Sequence, residues 1–250
     1  MSAAAVAAGA VAVESANTVG VQEFGGAGDF NFTAITFEPV SGESFTLGDI
    51  KVNSAFDYGA DSVSIWENGY KQFQVSYLGA DDASAESVAE GWYLSSDFDD
   101  WSFTHCKNSE VLAKGKGIVF HRGTAGAALV YSGQVQSDDV TFVGFGDFNM
   151  TANTTAKAIT LGQIKVNSAF DYGADSVSIW ENGYKQFQVS YLGADDAQAE
   201  NVAEGWYLTS DFDDWEFTHC KNNEPLSAGV GFVFHRGTTG AGIILPNPQE

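Results

Sequence analysis

Cations are scarce in this sequence: 11 Lys and Arg stand against 33 Asp and Glu, a formal charge of −22 over 250 residues. Phosphate neutralisation needs clustered Lys and Arg, so nucleic acid is excluded as a partner, and anionic membrane surfaces are disfavoured for the same reason. The acidity is spread along the chain, which keeps it soluble and lets it attract cations loosely. Cysteine is limited to Cys106 and Cys220, too few for a disulfide scaffold. No apolar run reaches the roughly 20 residues that cross a bilayer, so no transmembrane anchor is expected. Catalytic signatures are missing as well. There is no G-x-S-x-G elbow, no Walker loop, no H-E-x-x-H and no dinucleotide fingerprint between a strand and a helix. A non-enzymatic protein without an obligatory cofactor is the expectation.

What the chain does have is a long internal repeat. Residues 50–83 return unchanged as residues 164–197, shifted by 114 positions. The match continues, with scattered differences, through the paired G-W-Y-L and F-T-H-C-K-N segments to the two F-H-R-G-T runs. A period of this size is a small domain, not a solenoid unit. The reading is a leader at 1–16, one β domain at 17–133 and a second at 134–250. Residues 1–16, an Ala- and Val-rich run ending in small residues, resemble the apolar region and cleavage site of a secretory signal, though the basic segment is missing. A plain Ala-rich tail is the other reading. Export, to the medium or the cell surface, is the expectation.

Twenty-eight glycines, four prolines and 19 phenylalanines suit an all-β chain with tight turns. Seven or eight short strands are predicted per copy, with one helical turn near 83–89 and no long helix. The predicted architecture is two tandem, near-identical β-sandwich or compact barrel domains joined near 133–136. The hairpin at 62–77 alternates cleanly. A two-residue Asn68-Gly69 turn would place Ile65 opposite Gln72 and mix the faces. A three-residue Glu67-Asn68-Gly69 loop pairs Val63 with Phe73 and is preferred. It puts Trp66 opposite Tyr70 on a face of Ser and Gln residues, repeated as Trp180 and Tyr184. Such a pair is a ligand platform, an interface, or a cross-strand contact worth about 0.5–1 kcal/mol.

The acidic turn at 95–100 is predicted to lie between strands at 92–94 and 101–105. Asp97, Asp99 and Asp100, with Asp211, Asp213 and Asp214 in copy two, offer oxygens that suit Ca²⁺. They lack the Gly and distant Glu of an EF-hand loop, and a solvated turn is the simpler reading. His105 and Cys106 are adjacent, so on a strand they face opposite ways and do not share one ion easily. Alternation puts Cys106 on the solvent face. One thiol per copy cannot close a disulfide within a copy, so Cys106 and Cys220 pair with each other, pair with another chain, or stay free.

The G-x-F-N run at 28–31, the S-x-W-x-x-G-Y hairpin at 64–70, the G-W-Y segment at 91–93 and the closing G-x-x-F-x-R at 117–122 together resemble a repeated β-rich domain of exported, surface-associated bacterial proteins. That resemblance implies secretion from a bacterial cell and a non-catalytic role, and it transfers no functional residues. The leading expectation is therefore a structural or adhesive cell-surface protein that associates with itself or with other surface proteins, head to tail, in filaments or a layer. The alternative is a tandem carbohydrate-binding module in which Trp66, Tyr70, Trp180 and Tyr184 stack on polysaccharide.

Overall fold

The computed structural model describes residues 19–26, 28–35, 37–38, 44–67, 70–112, 115–135, 139–144, 146–153, 155, 157–181, 184–227 and 230–246. The leader therefore lies outside the described residues. Strand makes up 42% and helix 15% of the structure, which settles an all-β fold. Copy one runs β1 (Val19–Phe24), β2 (Phe30–Ala34), β3 (Phe37–Glu38), β4 (Lys51–Val52), β5 (Ser62–Glu67), β6 (Tyr70–Leu78), α1 (Ala80–Ala85), β7 (Gly91–Leu94), α2 (Ser95–Asp100), β8 (Gly117–His121) and β9 (Leu129–Val135). Copy two follows with β10 (Val140–Phe142), β11 (Phe148–Ala152), β12 (Ile159–Thr160), β13 (Lys165–Val166), β14 (Ser176–Glu181), β15 (Tyr184–Leu192), α3 (Ala194–Ala199), β16 (Gly205–Leu208), α4 (Thr209–Asp214), β17 (Pro225–Leu226), β18 (Gly231–His235) and β19 (Ile243–Leu245).

Each copy builds one large antiparallel sheet of five strands, ordered β2-β8-β5-β6-β7 in the first and β11-β18-β14-β15-β16 in the second. Each also builds a smaller sheet, β1-β9-β3 with β4 on β9 in copy one and β10-β19-β13 in copy two. Alternation along β5, β6 and β8 sends Val63, Ile65, Val75, Tyr77, Ile118 and Phe120 to one face, where they meet Leu129 and Tyr131 of the small sheet. Copy two repeats this core around Val177, Ile179, Val189, Phe232 and Phe234. Each fully buried side chain of this kind contributes about 1.5–3 kcal/mol.

The expectation of two tandem sandwiches or barrels is not met in its detail. The four main sheets succeed one another as four propeller-like blades. A third buried cluster joins the copies through the outer faces of the large sheets: Phe32 and Val119 from one, Met150 and Val233 from the other, with Trp66 and Trp180 packed beside them. The contact is reciprocal. A Cβ on Gly117 would lie 2.6 Å from the backbone carbonyl of Met150, and one on Gly231 would lie 2.7 Å from that of Phe32. Because Phe32 and Met150 hold equivalent places, the two copies face each other about a pseudo-twofold axis. Ser62 and Ser64 on this side are buried at low cost because their hydroxyls find partners: Gln74 Nε2 donates to Ser62 Oγ at 2.7 Å, and Ser64 Oγ lies 2.8 Å from His121 Nε2.

The hairpin register also differs from expectation. Glu67 pairs with Tyr70 and Trp66 with Lys71, then the register shifts so that Ile65 meets Phe73 and Val63 meets Val75. A bulge at Gln72 restores the apolar face that a two-residue connection would otherwise mix. Gln72 Nε2 donates to the carbonyls of Glu67 and Tyr70, at 3.1 and 3.2 Å. Residues 101–105 are not a strand, and the acidic turn before them is helix α2.

Candidate functional site

A cleft that recurs in both copies forms where the loop after β4 approaches the end of β6 and the start of α1. Its geometry begins with Asp61, which is buried. Asp61 Oδ1 accepts the backbone N–H of Gly123 and Thr124 at 2.8 and 2.9 Å, and Oδ2 accepts that of Asp57 at 2.8 Å. Three donors on one carboxylate fix the loop in place. Asn53 Oδ1 accepts from Ala128 N at 3.1 Å, and Asn53 Nδ2 donates to Gly126 O at 2.8 Å, so the loop's start is tied as firmly.

The resulting cleft holds about 390 Å³ in copy one and about 570 Å³ in copy two. Phe56 and Tyr77 form its floor, each edge-on to the buried Trp92, with ring centroids at 5.9 and 5.2 Å. Tyr77 donates its hydroxyl to Glu90 Oε1 at 2.6 Å. Burial, then this carboxylate, push the Tyr77 phenol well above its ordinary pKa, so it stays a donor at every physiological pH. Asp57, Asp82 and Glu90 line the walls. Copy two matches with Phe170, Asp171, Tyr172, Tyr191, Asp196 and Glu204.

Beside the cleft stands an aromatic wall. Tyr58 stacks on Phe98 at 5.2 Å and meets Trp101 at 5.5 Å, and both Tyr58 and Trp101 are 39% exposed. Trp101 caps α2 with φ = 56°, a left-handed conformation that costs a non-glycine residue about 1–2 kcal/mol. Its indole N–H donates to Glu86 Oε1 at 2.7 Å, and its ring packs on Phe103 at 5.1 Å. The chain turns back after α2 because the buried Asp97 accepts His105 N at 2.9 Å and faces His105 Nδ1 at 2.7 Å. Trp215, at φ = 60°, repeats the arrangement with Tyr172 and Glu200. In both copies a large ring in a left-handed backbone conformation thus stands against the tyrosine that lines the cleft.

The residues singled out in the sequence fall elsewhere. Trp66 and Trp180 are half-buried against the inter-copy cluster, and each indole N–H is buried without an acceptor among the described residues. Their expected partners Tyr70 and Tyr184 project at 72 and 75% exposure and are not opposite them, because Tyr70 pairs with Glu67 and Tyr184 with Glu181. No flat Trp–Tyr platform forms there. Asp97 and Asp211 are buried on His105 and His219, whereas Asp99, Asp100, Asp213 and Asp214 are exposed. The described residues contain no group of three or more His, Cys, Asp or Glu able to hold a metal. Cys106 and Cys220 are free and exposed, each beside the outer strand of its own large sheet through a bridge to Tyr93 or Tyr207. Tyr58 and Trp101 escaped notice because 43 positions separate them in the sequence. The one available signal was the Asp57–Asp61 pair bracketing an exposed Tyr in a Gly-containing turn.

One constellation has the connectivity of an acyl-transfer triad. Ser64 Oγ lies 2.8 Å from His121 Nε2, and His121 Nδ1 lies 3.7 Å from Asp29 Oδ1; in copy two the distances are 2.9 and 3.3 Å. Yet Ser64 and Ser178 are wholly buried in the inter-copy face, where no carbonyl can approach. The group satisfies buried hydrogen bonds. Burial lowers the pKa of His121 and His235, against the opposing pull of Asp29 and Asp147.

No family model, curated protein or solved structure matches the chain. No helix among the described residues is long and apolar enough to cross a membrane.

Proposed function

We propose that the chain is a non-catalytic, adhesive cell-surface protein that holds neutral polysaccharide in two equivalent clefts. The observation that carries this reading is an exposed ring, Tyr58, lining a cleft walled by Asp57, Asp82 and Glu90, with the exposed ring of Trp101 beside it. Aromatic faces stack on the apolar faces of sugar rings, and carboxylates and amides accept their hydroxyls. A formal charge of −22 repels polyanions, so uronate-rich or sulfated chains do not fit. Export, suggested by the apolar run at 1–16, and the resemblance to bacterial surface domains support a setting in which polysaccharide is met.

The test is affinity electrophoresis against soluble neutral glucan, xylan, glucomannan and galactomannan. Tyr58→Ala with Trp101→Gly, combined with Tyr172→Ala and Trp215→Gly, should remove retention. Glycine suits the left-handed position, so the fold should survive with its melting temperature within a few degrees. Two rings at ~0.5–1.5 kcal/mol each correspond to a roughly 5- to 150-fold loss of affinity per cleft. Retention that persists in the quadruple variant, or no retention of any polysaccharide by the native protein, refutes the reading.

A second reading, self-association, has its own observation. Among the described residues β1 pairs with β9 alone and β10 with β19 alone, which leaves one edge of each unpaired there, and Val21 on β1 is 73% exposed. Because the copies are related by a pseudo-twofold, the two open edges are equivalent ends, and pairing at both would extend a filament. Light scattering that reports a monomer at all concentrations, at salt high enough to screen charge beyond ~8 Å, refutes it.

A further inference from the structure

We infer that the chain is a cross-linker, each cleft engaging a separate polysaccharide strand; this rests on the carbohydrate reading above. The reason lies in which halves of the large sheets touch. The shared cluster draws on β2, β8 and the end of β5, with their counterparts β11, β18 and the end of β14. No residue of β6, β7, β15 or β16 belongs to it. The clefts lie on that other half, against Tyr77 at the end of β6 and Glu90 just before β7, and against Tyr191 and Glu204 in copy two. From β7 to β2 is four strand spacings, roughly 19 Å.

The reciprocal seating of Gly117 on Met150 and Gly231 on Phe32 makes the overlap a twofold one. The sheets therefore extend away from the axis in opposite directions, overlapping through about two strands each. Their outer edges, β7 and β16, are then separated by six or seven strand spacings, on the order of 30 Å. A short oligosaccharide in one cleft does not reach the other. The rim rings are far from the axis as well, since Trp101 follows α2, which follows β7. A twofold body with one site at each end joins two polymers and gains little avidity on a single short chain.

The native cysteines offer a ruler, because Cys106 flanks β7 and Cys220 flanks β16. Spin labels on the two thiols of the full chain should report a separation on the order of 30 Å. A separation under three strand spacings, about 15 Å, overturns the geometry whatever the ligand. The functional arm uses whichever of glucan, xylan, glucomannan or galactomannan the native chain retains. Mixed with that polymer, the native protein should raise light scattering to a maximum at an intermediate ratio and lose it in protein excess. The one-cleft variant Tyr172→Ala/Trp215→Gly should bind a short oligosaccharide of the same sugar with unchanged affinity and half the stoichiometry, and should lose the scattering. A variant that still cross-links, or a native chain that binds one short oligosaccharide with both clefts at once, overturns the inference but leaves the carbohydrate reading standing. Failure to retain any of the four polymers sinks that reading and the inference with it.

Discussion

Replacing Gly117 and Gly231 by Ala should destabilise the protein, against the ordinary sign of that substitution. A glycine within a strand costs roughly 0.5–1 kcal/mol relative to alanine, so Gly→Ala there is normally stabilising. Here a methyl on Gly117 would collide with Met150 Cβ and lie 2.6 Å from the Met150 carbonyl carbon and oxygen. On Gly231 it would meet Phe32 in the same way, 2.7 Å from the backbone C and O. Neither obstacle is the movable end of a long side chain, so the sheets must separate by the better part of an ångström. Overpacking of this kind costs about 1–3 kcal/mol. Setting the conformational gain against it leaves a net loss of about 1–2 kcal/mol at each site. The two sites share one interface, so the double variant should lose less than the sum. At about 2–4 °C per kcal/mol for a chain of this size, melting should fall by roughly 3–10 °C. Differential scanning calorimetry of the full chain is the assay, with Gly79→Ala as control, since a Cβ there meets nothing within 4 Å. A double variant as stable as the native protein, or more stable, would refute the face-to-face seating of the two copies.

Stability should fall as pH drops from 7 towards 5. Burial lowers the folded pKa of His121 and His235 below the ordinary 6.5, so the unfolded chain binds more protons below that value. Urea titrations at both pH values should show a smaller dependence in His121→Gln/His235→Gln, and an equal dependence would contradict the assignment. Ser87→Gly should raise the melting temperature, because Ser87 sits at φ = 59° where copy two already has Asn201; relief of ~1 kcal/mol is expected, and a lower melting point would count against it. Trp66→Ala with Trp180→Ala should cost about 2–4 kcal/mol by packing loss while leaving polysaccharide retention intact; loss of retention without loss of stability would return the platform to those rings. Cys106 and Cys220 should both react with a thiol reagent in the native state, without a change in melting temperature.

Much of the fold was legible because it depends on local pattern. The alternation of Val63, Ile65, Phe73 and Val75 named the core face of the hairpin. What failed was what alternation cannot encode. A bulge adds one residue without any signature, so Gln72 was counted as paired and Trp66 was set opposite Tyr70. Helix α2 was invisible for a related reason. It is six residues long, and it stands because Asp97 is buried against His105 eight positions on, a contact that sequence spacing alone does not suggest.

The inter-copy face shows the deeper limit. Ser62 and Ser64 read as part of a polar face, because polar residues at every second position usually are solvated. Both are buried here, and hydrogen bonds to the half-buried Gln74 and His121 remove most of the desolvation cost. Near-identity of the copies hid this further, since duplication preserves core, interface and surface equally. The same duplication explains why the clefts were missed. Their residues come from a loop at 53–58, a strand end at 77 and positions 82 and 90, none periodic with another, and only the fold makes them neighbours. Two glycines carry the information that the sequence did hold. Gly117 and Gly231 open strands whose other positions are filled, and a bare Cα in a strand marks the close approach of another backbone. That backbone belongs to the other copy, and its reciprocal approach joins the two halves of the duplication face to face.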